Sequence, residues 1–75
     1  MDEKLTRIIN GLLKRVGKPA IKNIKGKTSL RDDLGFDSFD LAELTVRIED
    51  AYGVDIFEDG LVDTVDDILE KLSRV

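Results

Sequence analysis

Neither cysteine nor histidine occurs in these 75 residues. Without cysteine the chain forms no disulfide and has no thiolate of its own, and no redox compartment can be inferred. Without histidine it lacks the commonest general base and the commonest transition-metal ligand. No apolar run approaches transmembrane length, and the N-terminus lacks the apolar core of a signal peptide. The expectation is a soluble, cytoplasmic protein without membrane insertion. A chain of this size makes one domain, residues 1–75. It buries only about 60% of its extended surface, so its stability will be modest.

Charge is unevenly spread. The formal net charge is −4. Residues 1–31 hold nine bases and two acids, a net of +7, whereas residues 32–75 hold fourteen acids and three bases, a net of −11. The acidic part should steer basic partners towards itself, an effect that salt weakens. The five lysines from Lys14 to Lys27 are not interleaved with aromatics. In a chain acidic overall, that argues against nucleic acid as a partner.

Along the chain, Leu5, Ile8, Ile9, Leu12 and Val16 recur at three- and four-residue steps, with Leu13 widening the stripe. This pattern predicts a helix over 3–16, capped by Asp2 and ended by Gly17 and Pro19. Gly11 interrupts it at a cost of about 1 kcal/mol relative to alanine. Residues 17–36 form a long connection, which Ile21, Ile24, Leu30, Leu34 and Phe36 can pin to the helices. Ser29-Leu30-Arg31-Asp32 has capping-box spacing and predicts a single helical turn. A central helix runs from near Asp37, its N-cap, with Asp40 at the third helical position, and stops before Gly53. Val54 to Phe57 is a short extended link, and Glu58 to Leu61 can form one short helical turn. Asp63 or Thr64 starts a last helix, with Thr64-Val65-Asp66-Asp67 at capping-box spacing, that buries Val65, Ile68, Leu69 and Leu72. The expected fold is all-α: a small four-helix bundle of three main helices plus a short third, with a long loop between helices 1 and 2.

The central helix has two apolar stripes. At 100° per residue, Leu41, Leu44, Thr45, Ile48, Ala51 and Tyr52 share one side, an ordinary core stripe. Phe39, Ala42 and Val46 lie nearly opposite, together with Glu43 and Asp50, and with Asp40 at the edge. Only one stripe can face the core of so small a domain. Apolar surface rimmed by charge marks a docking site. Ser38 stands at the start of this helix. It is a poor catalytic nucleophile, because no histidine activates it and Gly35-Phe36-Asp37-Ser38-Phe39 lacks the second glycine of a nucleophile elbow. Nor is it needed as the cap, since Asp37 fills that place. The free N–H groups of the first turn would suit a phosphate ester carried on this hydroxyl. Asp55 to Gly60 with Asp66 approximates a calcium-loop register. Phe57 stands where an oxygen ligand is required, and Asp66 replaces the bidentate glutamate, so no metal site is expected.

Asp32-Asp33-Leu34-Gly35-Phe36-Asp37-Ser38-Phe39-Asp40 resembles the stretch around the modified serine of the acyl carrier protein family. Glu43, Glu49 and Asp50 match acids of that family's recognition helix, Gly53-Val54-Asp55-Ile56 the link after it, and Thr64-Val65 the start of the last helix. The resemblance covers about residues 28–72. It implies a non-catalytic carrier in which Ser38, beside Asp37, receives 4′-phosphopantetheine from coenzyme A through a phosphopantetheinyl transferase. The carrier would hold acyl or aminoacyl groups as thioesters on that arm. It would present them to acyltransferases, synthases or ligases of fatty acid, polyketide or related lipid metabolism, and act as a monomer. By the same resemblance Asp37, Phe39, Asp40, Glu43, Val46, Glu49 and Asp50 meet basic docking patches on those partners, with Ala42 joining the partner face from the apolar stripe, and Leu44, Ile48 and Ile56 shelter the bound chain. Phe39 in place of the usual leucine, the base Arg47 on the recognition helix, the short segment around Gly60 and the basic first third depart from the commonest pattern. They point to a specialised carrier as readily as to a housekeeping one. The alternative from another class is a cofactor-free helical adaptor using the same acidic-apolar face.

Overall fold

The computed structural model describes residues 3–58, 60 and 62–73. Three helices account for the regular structure among them: α1 (Glu3–Arg15), α2 (Ser38–Tyr52) and α3 (Val65–Ser73). No strand is present among the described residues beyond an isolated bridge between Ser29 and Thr64.

Each helix forms where an apolar stripe coincides with end signals. In α1 the stripe buries Leu5, Ile9, Leu12 and Leu13, and Gly17 ends it with φ at +81°, a conformation glycine adopts without strain. Val16, expected in the core stripe, lies beyond the helix end and is exposed. The Val16 amide still donates to the Leu12 carbonyl, but the chain turns directly after it, with the Lys18 amide donating to the Leu13 carbonyl, and no further helical turn covers its side chain. The expected Asp2 cap lies outside the described residues. In α2 the buried residues are Leu41, Leu44 and Ile48, and Gly53 at φ +72° closes the helix with its amide donating to the Glu49 carbonyl. In α3 they are Val65 and Ile68, with Leu69 and Leu72 packed against the core at its margin. Fully burying one such aliphatic side chain contributes about 1.5–3 kcal/mol.

The first two helices run antiparallel. Arg15, at the end of α1, bonds Glu43 near the start of α2, and the Lys4 ammonium at the other end donates to the Ala51 carbonyl. That ammonium also sits 4.6 Å above the Tyr52 ring, a cation–π contact. The long connection then wraps the bundle. Ile24, Leu30, Leu34 and Phe36 are buried, and Ile21 packs at the core edge. Several of its backbone groups are also paired. The Asn10 side chain donates to the Ile21 carbonyl at 3.0 Å and accepts from the Ile21 amide at 2.8 Å. Leu30 donates to the Asp63 carbonyl, and Val65 and Asp66 donate to the carbonyls of Thr28 and Gly26. These bonds tie the connection to the start of α3.

Three local expectations change. The turn after Ser29 is capped by the Ser29 hydroxyl accepting from the Asp32 amide, but the reciprocal carboxylate is that of Asp33, which accepts from the Ser29 amide. The link after Gly53 is extended only to Asp55. The Asp55 carboxylate accepts from the Phe57 amide, and residues 56–58 form a turn. That turn tucks Ile56 fully into the core. The short extra helix expected at Glu58–Leu61 includes Asp59 and Leu61, which lie outside the described residues. Three helices, rather than four, are what the described residues show.

Candidate functional site

The start of α2 is fixed by two aspartates acting on each other's backbone. Asp37 has extended backbone angles, φ −93° and ψ −174°. Its side chain accepts from the Asp40 amide at 2.9 Å, and the Asp40 side chain accepts from the Asp37 amide at 3.0 Å. This is a capping box built from two aspartates. The Asp40 amide, with that of Phe39 and the nearby Lys18 charge assisting, holds the Asp37 carboxyl below the usual aspartate range. Ser38 follows as the first helical residue and is exposed. Because the cap belongs to Asp37, the serine hydroxyl is left out of it.

The approach to Ser38 is held from α1's end of the molecule. The Lys18 ammonium donates to the Leu34 carbonyl at 3.0 Å and to the Gly35 carbonyl at 2.8 Å. Gly35 has φ at +69°, and a Cβ there would run into the Lys18 ammonium. Glycine is therefore needed twice, for the backbone angle and for the cation's seat. Leu34 and Phe36 on either side are buried. Ser38 thus follows directly on a loop anchored by two apolar side chains and one clamped lysine. Sequence reasoning missed Lys18, which carries no motif and sits 17 residues from Gly35.

Beyond Ser38 the second apolar stripe of α2 faces outward. Phe39 is 86% exposed and Val46 66%, with Ala42 exposed between them. Glu49 and Asp50 are exposed, and Asp40 is half-buried. Leu44, Ile48 and Ile56, expected to shelter a bound chain, are all fully buried within the core.

Glu43 stands differently from the other acids. Its carboxylate oxygen Oε2 accepts from Arg15 at 2.6 Å and from the Nε and an Nη of Arg47 at 3.0 and 2.7 Å. Two cations therefore hold one acid at the seam between α1 and α2. Gly11 makes room for this: a Cβ there would sit 3.3 Å from an Arg47 guanidinium nitrogen. The glycine inside α1 and the arginine on α2, separate oddities in the sequence, belong to one contact.

Residues 3–72 match the family described as "Phosphopantetheine attachment site". A curated relative, "Acyl carrier protein" of Saccharopolyspora erythraea, is 38% identical over 74 residues, covering 93% of this chain and 77% of the relative. The chain belongs to the acyl carrier protein family. It is thus a carrier rather than a catalyst, and bears acyl thioesters on 4′-phosphopantetheine. No solved structure gave a significant match.

Attachment of that group sets two requirements at the start of α2. It requires an accessible hydroxyl and a tolerant electrostatic setting for a phosphodiester. Ser38 is exposed and free of the capping role. The positive end of the 15-residue α2 and the Lys18 ammonium offset the neighbouring carboxylates. The residues present fit the group.

Proposed function

We propose that Ser38 is the attachment point of 4′-phosphopantetheine and that the outer face of α2 is where partner enzymes dock. The single observation that carries this reading is the placement of Ser38. It is an exposed hydroxyl one residue inside a helix start already capped by Asp37 and Asp40, within the segment matched to the phosphopantetheine attachment family. When bound, the group supplies the thiol that a chain without cysteine lacks. The chain's own residues do the rest. Asp37 and Asp40 hold the helix start rigid, and Lys18 fixes the loop before it. The positive end of α2 favours an anionic ester at its mouth.

Phe39, Ala42 and Val46 form the apolar centre of the docking face, and Asp37, Asp40, Glu49 and Asp50 form its charged rim. The complementary partners are a phosphopantetheinyl transferase and acyltransferases, synthases or ligases with basic patches, working in a fatty acid, polyketide or related pathway. Their encounters are transient and salt-sensitive. The chain acts as a single-domain monomer in the cytoplasm. Leu44, Ile48 and Ile56 would line the interior if the bundle opens around a carried chain.

The test is intact mass after incubation with coenzyme A and a broad-specificity phosphopantetheinyl transferase. The protein should gain one phosphopantetheine, and Ser38→Ala should gain none. Uptake by the alanine variant would place the attachment elsewhere. Failure of the wild-type protein with several transferases would sink the reading.

A further inference from the structure

We propose that Arg15 and Arg47 mask Glu43 on the docking face. The partner that fits this carrier would then present a carboxylate, not a base, opposite the seam between α1 and α2. The proposal rests on reading the outer face of α2 as the docking face.

Glu43 lies on the same side of α2 as Phe39, Val46 and Asp50, so a free carboxylate there would belong to the acidic rim. It is not free. One of its oxygens receives three N–H groups from two guanidiniums, and its side chain is only 28% exposed. Arg15 is 64% exposed and Arg47 34%, so what a visiting surface meets is mainly the cations. One acid and two bases leave the seam at net +1. Hydrogen bonds between ions are about twice as strong as neutral ones, and a side chain shared by two arginines is not readily released to a third.

Past Arg47 the seam opens into a groove of about 630 Å³ lined by Lys4, Arg7, Ile8, Arg47, Asp50 and Ala51, where Arg7 pairs with Glu3 at 3.7 Å. Gly11 leaves room for the arrangement, since a Cβ there would sit 3.3 Å from an Arg47 guanidinium nitrogen. The face therefore has a mosaic of charge: acids at Asp37, Asp40, Glu49 and Asp50, and a basic notch at the seam. An enzyme with basic residues across its whole docking patch meets repulsion at the notch. An enzyme with one carboxylate there does not, which makes Arg15 and Arg47 selectors among partners.

The experiment measures association rates between a phosphopantetheinyl transferase with a basic docking patch and carriers that all have Ser38→Ala. Attachment at Ser38 then cannot affect the outcome. Arg47→Gln and the more exposed Arg15→Gln are compared with the parent, with helical circular dichroism as the check on folding. At low ionic strength each should associate about threefold faster or more, and the gain should vanish at about 0.5 M salt. With a transferase whose base facing position 43 is changed to Glu, the order should reverse. Equal or slower association of both variants overturns the proposal, as does the absence of any association. If the carriers associate as expected but the serine-containing protein takes no phosphopantetheine, the Ser38 assignment fails and the masking stands.

Discussion

At Gly35 two demands meet on one residue. Its φ of +69° is costly for any side chain with a Cβ, and the space a Cβ would fill is taken by the Lys18 ammonium. Replacing Gly35 by alanine should therefore destabilise the protein by about 1–2 kcal/mol from the backbone angle alone. It should also dislodge the lysine from the carbonyls of Leu34 and Gly35. The two effects can be separated. In a Lys18→Ala background the glycine replacement meets no ammonium, so its cost should fall by about 0.5 kcal/mol or more, the coupling expected of residues in contact. Urea unfolding of the two single variants and the double variant measures this. Strict additivity would mean that the lysine merely rests on the loop. Gly11 carries a related lesson. Its place inside α1 looks like a defect by helix propensity, and only the Arg47 guanidinium lying across it gives the reason.

At the scale of helices, two of the starts depend on carboxylates that accept backbone N–H groups. Asp37 does so for α2, and Asp67 for α3, where it accepts from the amides of Thr64 and Asp63 at 2.9 and 3.0 Å. Both carboxyls are held below the ordinary aspartate range, chiefly by those amides. A depressed folded-state pKa adds stability above the unfolded value of about 4, and that stability is lost as pH falls through the depressed value. Urea midpoints should therefore drop as pH is lowered from about 5 towards 2. Asp67→Asn, which cannot titrate, should show a shallower drop than the wild-type protein. Parallel slopes would show that the cap's charge does not matter.

These helix ends were legible in the sequence because a cap and its reciprocal acid lie three residues apart, and Gly53 and Gly17 follow the last apolar repeats. The Ser29 turn was half legible. Two adjacent acids, Asp32 and Asp33, could each close it, and spacing does not decide between neighbours. The pairing of Asn10 with Ile21 spans 11 residues and two elements, so no local pattern announces it.

Across the whole molecule, α2 buries one apolar stripe and leaves the other at the surface, where the proposed docking face lies. Leu44 and Ile48 are fully buried, whereas Phe39 and Val46 on the same helix are exposed. That division was visible in the sequence as two stripes at 100° per residue in a chain too small to bury both. The pairing of Glu43 with Arg15 was not, because it joins residues 28 positions apart on different helices. The division gives each side its own signature. Ile48→Ala removes buried methyl groups and should cost about 2–5 kcal/mol. Phe39→Ala and Val46→Ala remove nothing from the core and should change stability by no more than about 0.5 kcal/mol. Their effect should appear instead as weaker binding of a phosphopantetheinyl transferase, at unchanged thermal midpoint. Should either exposed residue prove as costly to stability as Ile48, the outer stripe is part of the packing, and the docking face must be sought on another side of the bundle.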